Sequence, residues 1–103
     1  CDEECFSATD VFLGAFKGRS NVRIVGRPSQ GGSGRALKYT LGNSDLRVAI
    51  SSMASFQPSG RLYERNGIEP DFEVAYTLDD VRGVHDSVMQ RAFEVIAGLR
   101  EMK

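Results

Sequence analysis

The sequence contains a single histidine, His85, and only two cysteines, Cys1 and Cys5. So few soft ligands, with the histidine far from the thiols, do not have the spacing of a structural zinc site, and no metal is expected. Asp2, Glu3 and Glu4 separate the two cysteines, which suit either free thiols or a short local disulfide; neither choice fixes a redox compartment. No charge of one sign dominates, since 13 lysines and arginines face 14 aspartates and glutamates. Without a basic run, nucleic acid and anionic membrane surfaces have no electrostatic footprint to recognise. No apolar stretch approaches the roughly 20 residues of a membrane-spanning helix. Internal repeats and low-complexity tracts are also missing.

What is there is one domain, or one lobe of a larger one, spanning residues 1–103. The chain begins with Cys1 rather than methionine, and it is expected to be a piece excised from a longer polypeptide. Ser7-Ala8-Thr9-Asp10 sets a hydroxyl three residues before a carboxylate and just ahead of Val11, Phe12, Ala15 and Phe16. That is the pattern of a capped amphipathic helix, and Gly18 stands where a left-handed C-terminal cap belongs. Val22 to Val25 reads as a short strand whose partner, a strand before Cys5, is expected to be missing. Gln30 to Gly34 is glycine-rich and conformationally free. Leu37–Leu41 and Leu46–Ile50 alternate apolar and polar residues around a Gly42-Asn43 turn, which predicts a hairpin. Extended pieces follow through Met53 to Phe56 and Phe72 to Val74. Val84, Val88, Ala92, Val95, Ile96 and Leu99 recur at helical spacing and close the chain with an amphipathic helix. Helix, strands, then helix predicts an α/β or α+β layered fold.

Ser7 is the residue with the most chemistry within reach. At a helix start it lies beside unpaired N–H groups and the positive end of the helix dipole, where a nucleophile's developing oxyanion could be held. The same spacing equally describes a plain N-cap, with Ser7 accepting from the amide of Thr9 or Asp10 and Asp10 reaching back. The glycine-rich loop lacks the pattern of a phosphate loop, and a structural turn accounts for it as well as a substrate contact does. His85 is expected to be a surface or helix-end histidine. Asp71 is expected to act on local conformation after Pro70, and Met53, Phe56 and Phe72 to pack in the core.

Several segments in one order narrow these choices. Phe6-Ser7-Ala8-Thr9-Asp10 with Gly14-Ala15, Val25-Gly26-Arg27-Pro28-Ser29-Gln30-Gly31-Gly32, Leu46 to Ile50, Pro58-Ser59-Gly60-Arg61, and Gly67-Ile68-Glu69-Pro70-Asp71 run in sequence along the chain. Together they resemble the tail-specific, C-terminal-processing serine peptidases, from Phe6 to the end of the chain. The resemblance implies a ClpP/crotonase-like α/β lobe of ββα units with a mixed sheet and flanking helices, incomplete without its upstream segment. It implies peptide-bond hydrolysis through an acyl-enzyme on Ser7, with the Ala8 backbone N–H as one oxyanion donor and no cofactor. Gly31 and Gly32 would then approach a peptide or protein substrate.

The sequence departs from the lysine-dependent branch of that family. Where those peptidases carry their general base, this chain has Gly31-Gly32-Ser33, and Lys38 falls in a predicted strand. The turn is more similar to that of the tricorn core proteases, whose base is a histidine upstream of the serine, oriented through a late glutamate. Glu64, three residues before the Gly-Ile-Glu-Pro-Asp segment, takes that place, although an exposed turn carboxylate is its plain alternative. The base itself is expected from an upstream half of the same polypeptide. The resemblance also allows a homo-oligomer and suggests an extracytoplasmic or membrane-associated bacterial location. It extends to retinoid-binding modules, so a non-catalytic carrier of apolar ligands is the rival reading.

Overall fold

In the computed structural model, residues 1–101 are described. The chain runs α1 (Ala8–Phe16), β1 (Val25–Gly26), β2 (Ala36–Thr40), β3 (Arg47–Ser51), β4 (Phe72–Glu73), α2 (Leu78–Val81) and α3 (Ser87–Glu101). This is a mixed α/β arrangement, as the element order predicts. The first helix stops because Lys17 leaves helical geometry and Gly18 turns left-handed at φ 81°. The Arg19 and Arg23 guanidinium groups then donate to the freed carbonyls of Ala15, Arg19, Ser20 and Val22.

β1 and β4 pair in parallel, Val25 with Phe72 and Gly26 with Glu73. The opposite edge of β1 is not bare. The Cys1 amine donates to the Val25 carbonyl at 2.8 Å, and the Arg27 amide donates to the Cys1 carbonyl at 2.8 Å. That is the bonding pattern of a parallel bridge centred on Gly26, so Cys1 occupies the place of the strand expected to be missing. Gly26 has φ 128°, and a Cβ there would collide with the Cys1 backbone. Chain passing from Cys1 through α1 to β1 therefore links two parallel neighbours by a helical crossover, with the Asp2–Cys5 turn between the bridge and α1.

The hairpin appears within one residue of its expected limits. β2 and β3 are antiparallel with Leu37 opposite Ile50 and Tyr39 opposite Val48, which puts those four apolar side chains on one face. All ten strand residues are exposed. The radius of gyration is 17.9 Å, against about 13 Å for a compact domain of this length. The core is correspondingly small: Ile24, Tyr63 and Ile68, with Cys1 and Leu13 against them. Two expectations fail here. Met53 and Phe56 do not join the core; both are exposed, and Phe56 makes only an isolated bridge to Leu62. The predicted strand at Val22 to Val25 shrinks to its last residue and Gly26, because Val22 bonds back to Arg19 in a turn. Phe72 is half-buried, beneath the Arg91 guanidinium.

A short helix that the periodicity does not reveal, α2, precedes α3. Asp80 builds it and joins it to the next: it accepts from the Thr77 amide and hydroxyl and from the Ser87 amide and hydroxyl. The Thr77 hydroxyl and these amides hold the Asp80 carboxyl well below the usual carboxylate range. α3 packs against β1.

Asp71 fastens β4 to β1 from the side. Its carboxylate accepts from the Ile24 amide at 2.8 Å and pairs with Lys17 at the end of α1, while its own amide donates to the Ile24 carbonyl at 2.7 Å. Partial burial pushes this carboxyl up, but the Lys17 ammonium and the Ile24 amide together outweigh burial and hold it below the ordinary value. A carboxyl with a depressed folded pKa contributes stability that is complete above the unfolded value of about 3.9 and fades as pH falls through the folded value. Asp71→Asn is therefore expected to lower the melting temperature at neutral pH and to narrow its gap from wild type below about pH 4. A gap of constant size from pH 7 to pH 2 would contradict this role.

Candidate active site

Ser7 stands at the corner between the Cys1 end of the sheet and α1. Its backbone is left-handed, with φ 61° and ψ −110°, a sparsely populated region that costs a non-glycine residue about 1–3 kcal/mol. The side chain is exposed and makes no capping hydrogen bond. The spacing alone predicts a capping box, and the structure has its arrangement: the Ser7 amide donates to Asp10 Oδ2 at 2.9 Å, while the Ser7 side chain faces the Asp10 amide without making a capping hydrogen bond. The proton of the hydroxyl is committed to no acceptor among the described residues. At the same helix end the Thr9 amide is taken by the Phe6 carbonyl and the Val11 amide by the Ser7 carbonyl. The Ala8 amide has no partner among the described residues.

Asp10 is the residue that sequence reasoning undervalues. It is 0 % exposed and its two oxygens accept four hydrogen bonds. Oδ2 accepts from the amides of Ser7 and Gly32, each at 2.9 Å; Oδ1 accepts from Ser29 Oγ at 2.6 Å and from the Gly31 amide at 3.1 Å. Ser29 Oγ in turn accepts from the Ile68 amide at 2.7 Å, and the Ser29 amide donates to the Ile68 carbonyl at 3.1 Å. Tyr63 packs its phenol against Gly14 of α1 beside this cluster. Burial, and then the charge on Asp10, push that phenol's pKa up. The capping-box spacing signals one of the four bonds to Asp10 and gives no sign of the other three, which come from residues 19 to 22 positions later.

Gly31 and Gly32 are buried, with both N–H groups directed at Asp10. The sequence suggests these glycines as backbone contacts for substrate; the structure leaves neither N–H free for that purpose. Their smallness serves packing instead. A Cβ on Gly32 would strike the Phe6 ring, and one on Gly31, at φ 79°, would strike Gly67 and the Tyr63 carbonyl. Glu64 lies in the turn that follows Tyr63, where the Asn66 and Gly67 amides donate to the Tyr63 carbonyl. This turn docks on the same loop, because the Arg65 amide donates to the Gly31 carbonyl at 3.0 Å. The Glu64 side chain is exposed and its carboxylate accepts no hydrogen bond among the described residues. Gly31 and Asp10 therefore connect the Glu64 turn to Ser7.

His85 lies apart. With Tyr76, Asp80 and Val84 it lines a concavity of about 700 Å³ beside α2 and the start of α3. Neither Ser7 nor Glu64 borders that space. Lys38 is on the exposed hairpin and Lys17 is paired with Asp71. Among the described residues no group of three His, Cys, Asp or Glu could hold a metal ion, and no helix is long and apolar enough to cross a membrane.

The model of Peptidase family S41 matches residues 1–74, the stretch that contains Ser7, Asp10, the glycine-rich loop and the Gly67–Asp71 turn. The chain belongs to peptidase family S41. Among solved structures, this S41 chain is similar to a proposed peptidase from Parabacteroides merdae, with a TM-score of 0.78 and 27% identity over 90% of this chain and 29% of that one. It is also similar to mature CPAF complexed with lactacystin, with a TM-score of 0.75 and 22% identity over 91% of this chain and 18% of the other, a likeness that shows the fold. The chain thus spans less than a third of the length of these structures. Among curated proteins, no sequence matches it.

The crowding around Gly31 makes a direct test of this packing. Gly31→Ala is expected to destabilise the S41 chain by roughly 1–3 kcal/mol, from the left-handed strain and the contact with Tyr63 and Gly67 together. Gly42→Ala, where nothing lies within reach of an added Cβ, is expected to change stability by no more than about 0.5 kcal/mol. Urea unfolding of the two variants, compared with wild type, reads the difference.

Proposed function

We propose that this chain supplies the nucleophile of a serine peptidase, with Ser7 attacking the scissile carbonyl and the general base coming from outside these residues. The observation that carries the reading is the conformation of Ser7: a strained left-handed residue, exposed and making no side-chain capping hydrogen bond, next to an amide with no partner among the described residues. A serine kept only to cap the helix has no need of that strain. Membership of a peptidase family over residues 1–74 points to the same chemistry.

In this scheme the base removes the Ser7 proton as Oγ bonds to the carbonyl carbon. The carbonyl oxygen becomes an oxyanion that can accept a hydrogen bond from the Ala8 amide, helped by the dipole of α1. The intermediate collapses by breaking the C–N bond, the amine leaves with the proton from the base, and the acyl group remains on Ser7. Water, deprotonated by the same base, then releases the acid and restores the hydroxyl. Glu64 is the carboxylate that orients the base; its turn is tied to the Gly31 loop by the Arg65–Gly31 contact, and its carboxylate is unpaired among the described residues. The substrate class is a peptide or protein. The tail-specific character follows from the ordered motifs of the sequence and belongs to the same proposal. A second reading, a carrier for apolar ligands, is favoured by Phe6 before α1 and the tilted Phe12–Phe16 pair along it, all of which remain exposed.

Two measurements separate these readings. In the full-length protein a fluorophosphonate probe is expected to acylate Ser7, Ser7→Ala to abolish labelling, and His85→Ala to leave it intact. Labelling that survives Ser7→Ala removes Ser7 from the nucleophile's place. The 103-residue chain by itself is expected to hydrolyse no peptide, because an unassisted serine hydroxyl is a poor nucleophile; Ser7-dependent hydrolysis by the chain alone would mean that the base lies within it. Glu64→Gln in the full-length enzyme is expected to lower kcat by roughly 10²-fold or more, as loss of acid–base assistance does.

A further inference from the structure

We propose that Asp10 is a positioning residue for the nucleophile: its buried carboxylate ties the Ser7 amide and the two amides of the facing Gly31–Gly32 turn into one unit. The inference rests on the reading of Ser7 as nucleophile. A carboxylate at the third position of a helix ordinarily lies in water and reaches back to one amide. Asp10 is instead fully buried, and it has one donor for each of four acceptor directions. A buried carboxylate is tolerable only when its oxygens are satisfied in this way, and three of its four donors are amides or hydroxyls far along the chain.

The consequence falls on the Ser7 backbone. An N-cap serine prefers extended geometry with its hydroxyl on an amide of the first turn. Without the acceptor at Asp10 Oδ2, the Ser7 amide would have no partner in its left-handed state, and nothing else on the corner would offset the strain. The residue would relax to the ordinary cap, which would turn its hydroxyl onto the helix amides. Asp10 thus selects between two uses of one hydroxyl. Through Ser29 and the Ile68 amide the same carboxylate also fixes the segment that follows the Glu64 turn, so nucleophile and orienting carboxylate share one anchor.

The test is made on the full-length protein with amide hydrogen exchange and steady-state kinetics. In wild type the amides of Ser7, Gly31 and Gly32, none of which lies inside a helix or strand, are expected to be protected and to exchange as one set. Asp10→Asn, which keeps one acceptor oxygen and turns the other into a donor, is expected to speed all three by roughly tenfold or more and to lower kcat by roughly 100-fold, with KM changed by no more than about twofold. Ile24→Ala, a core truncation outside the site, is expected to lower the melting temperature at least as far while leaving kcat within about twofold. Three unprotected amides in wild type, exchange that Asp10→Asn does not alter, or a kcat loss in Ile24→Ala equal to that in Asp10→Asn would each overturn the proposal. Should Asp10→Asn fail to fold, the wild-type exchange pattern alone decides. Peptide hydrolysis that persists in Ser7→Ala would instead defeat the nucleophile reading and leave the exchange result standing.

Discussion

One buried carboxylate holds this chain's candidate site together. Asp10 brings donors from two places to its two oxygens, the corner before α1 and the loop after β1, and through Ser29 it also reaches the turn that leads to β4. Charge-assisted hydrogen bonds to an ionised carboxylate are roughly twice as strong as neutral ones. In low dielectric they are also directional, so four at once define positions rather than merely adding attraction.

That polar centre matters because the apolar one is slight. Three buried hydrophobic residues, with Cys1 and Leu13 against them, form the core, and two of those three, Tyr63 and Ile68, lie in segments tied to Gly31 or Ser29. Elsewhere large apolar side chains face outward: Phe12, Leu46, Phe93 and the Leu37–Ile50 and Tyr39–Val48 face of the hairpin. A two-stranded ribbon has little stability of its own in water. Its observed register sets Leu37, Tyr39, Val48 and Ile50 on one face.

The arrangement also explains how a helix start becomes chemically useful. An ordinary cap uses its hydroxyl on the helix; here the carboxylate takes the Ser7 amide, the Ser7 side chain makes no capping hydrogen bond, and the Ala8 amide has no partner among the described residues. Glycines 31 and 32 contribute by being small enough for the loop to reach Asp10 beneath the Phe6 ring and beside Gly67. Glycine-rich loops invite a reading as substrate cradles. In this chain the backbone amides of the loop turn inward, and the freedom of glycine is used for close packing.

Local pattern sufficed wherever a short-range force decides. The hairpin followed from alternation and a Gly-Asn turn, α1 from its apolar stripe and Gly18, and α3 from its periodicity; Ser7 and Glu64 were singled out by ordered motifs, and the structure joins their turns through Gly31. Less was legible where partners are distant. Val22 to Val25 has strand character, yet most of it bends into a turn with Arg19, and Met53 and Phe56 are apolar without finding a core to enter. The four-residue α2 depends on Asp80 meeting Thr77 and Ser87, which hydrophobic periodicity does not register. By itself the sequence determined the elements and the chemical candidates, because spacing along a chain sets which side chains share a face and which residues can cap or turn. Only the tertiary structure decided that Asp10 is a buried hub, that the glycine amides are committed to it, and that the Ser7 side chain makes no capping hydrogen bond, because hydrogen bonds across 20 or so residues depend on how the chain folds back, which no local pattern encodes.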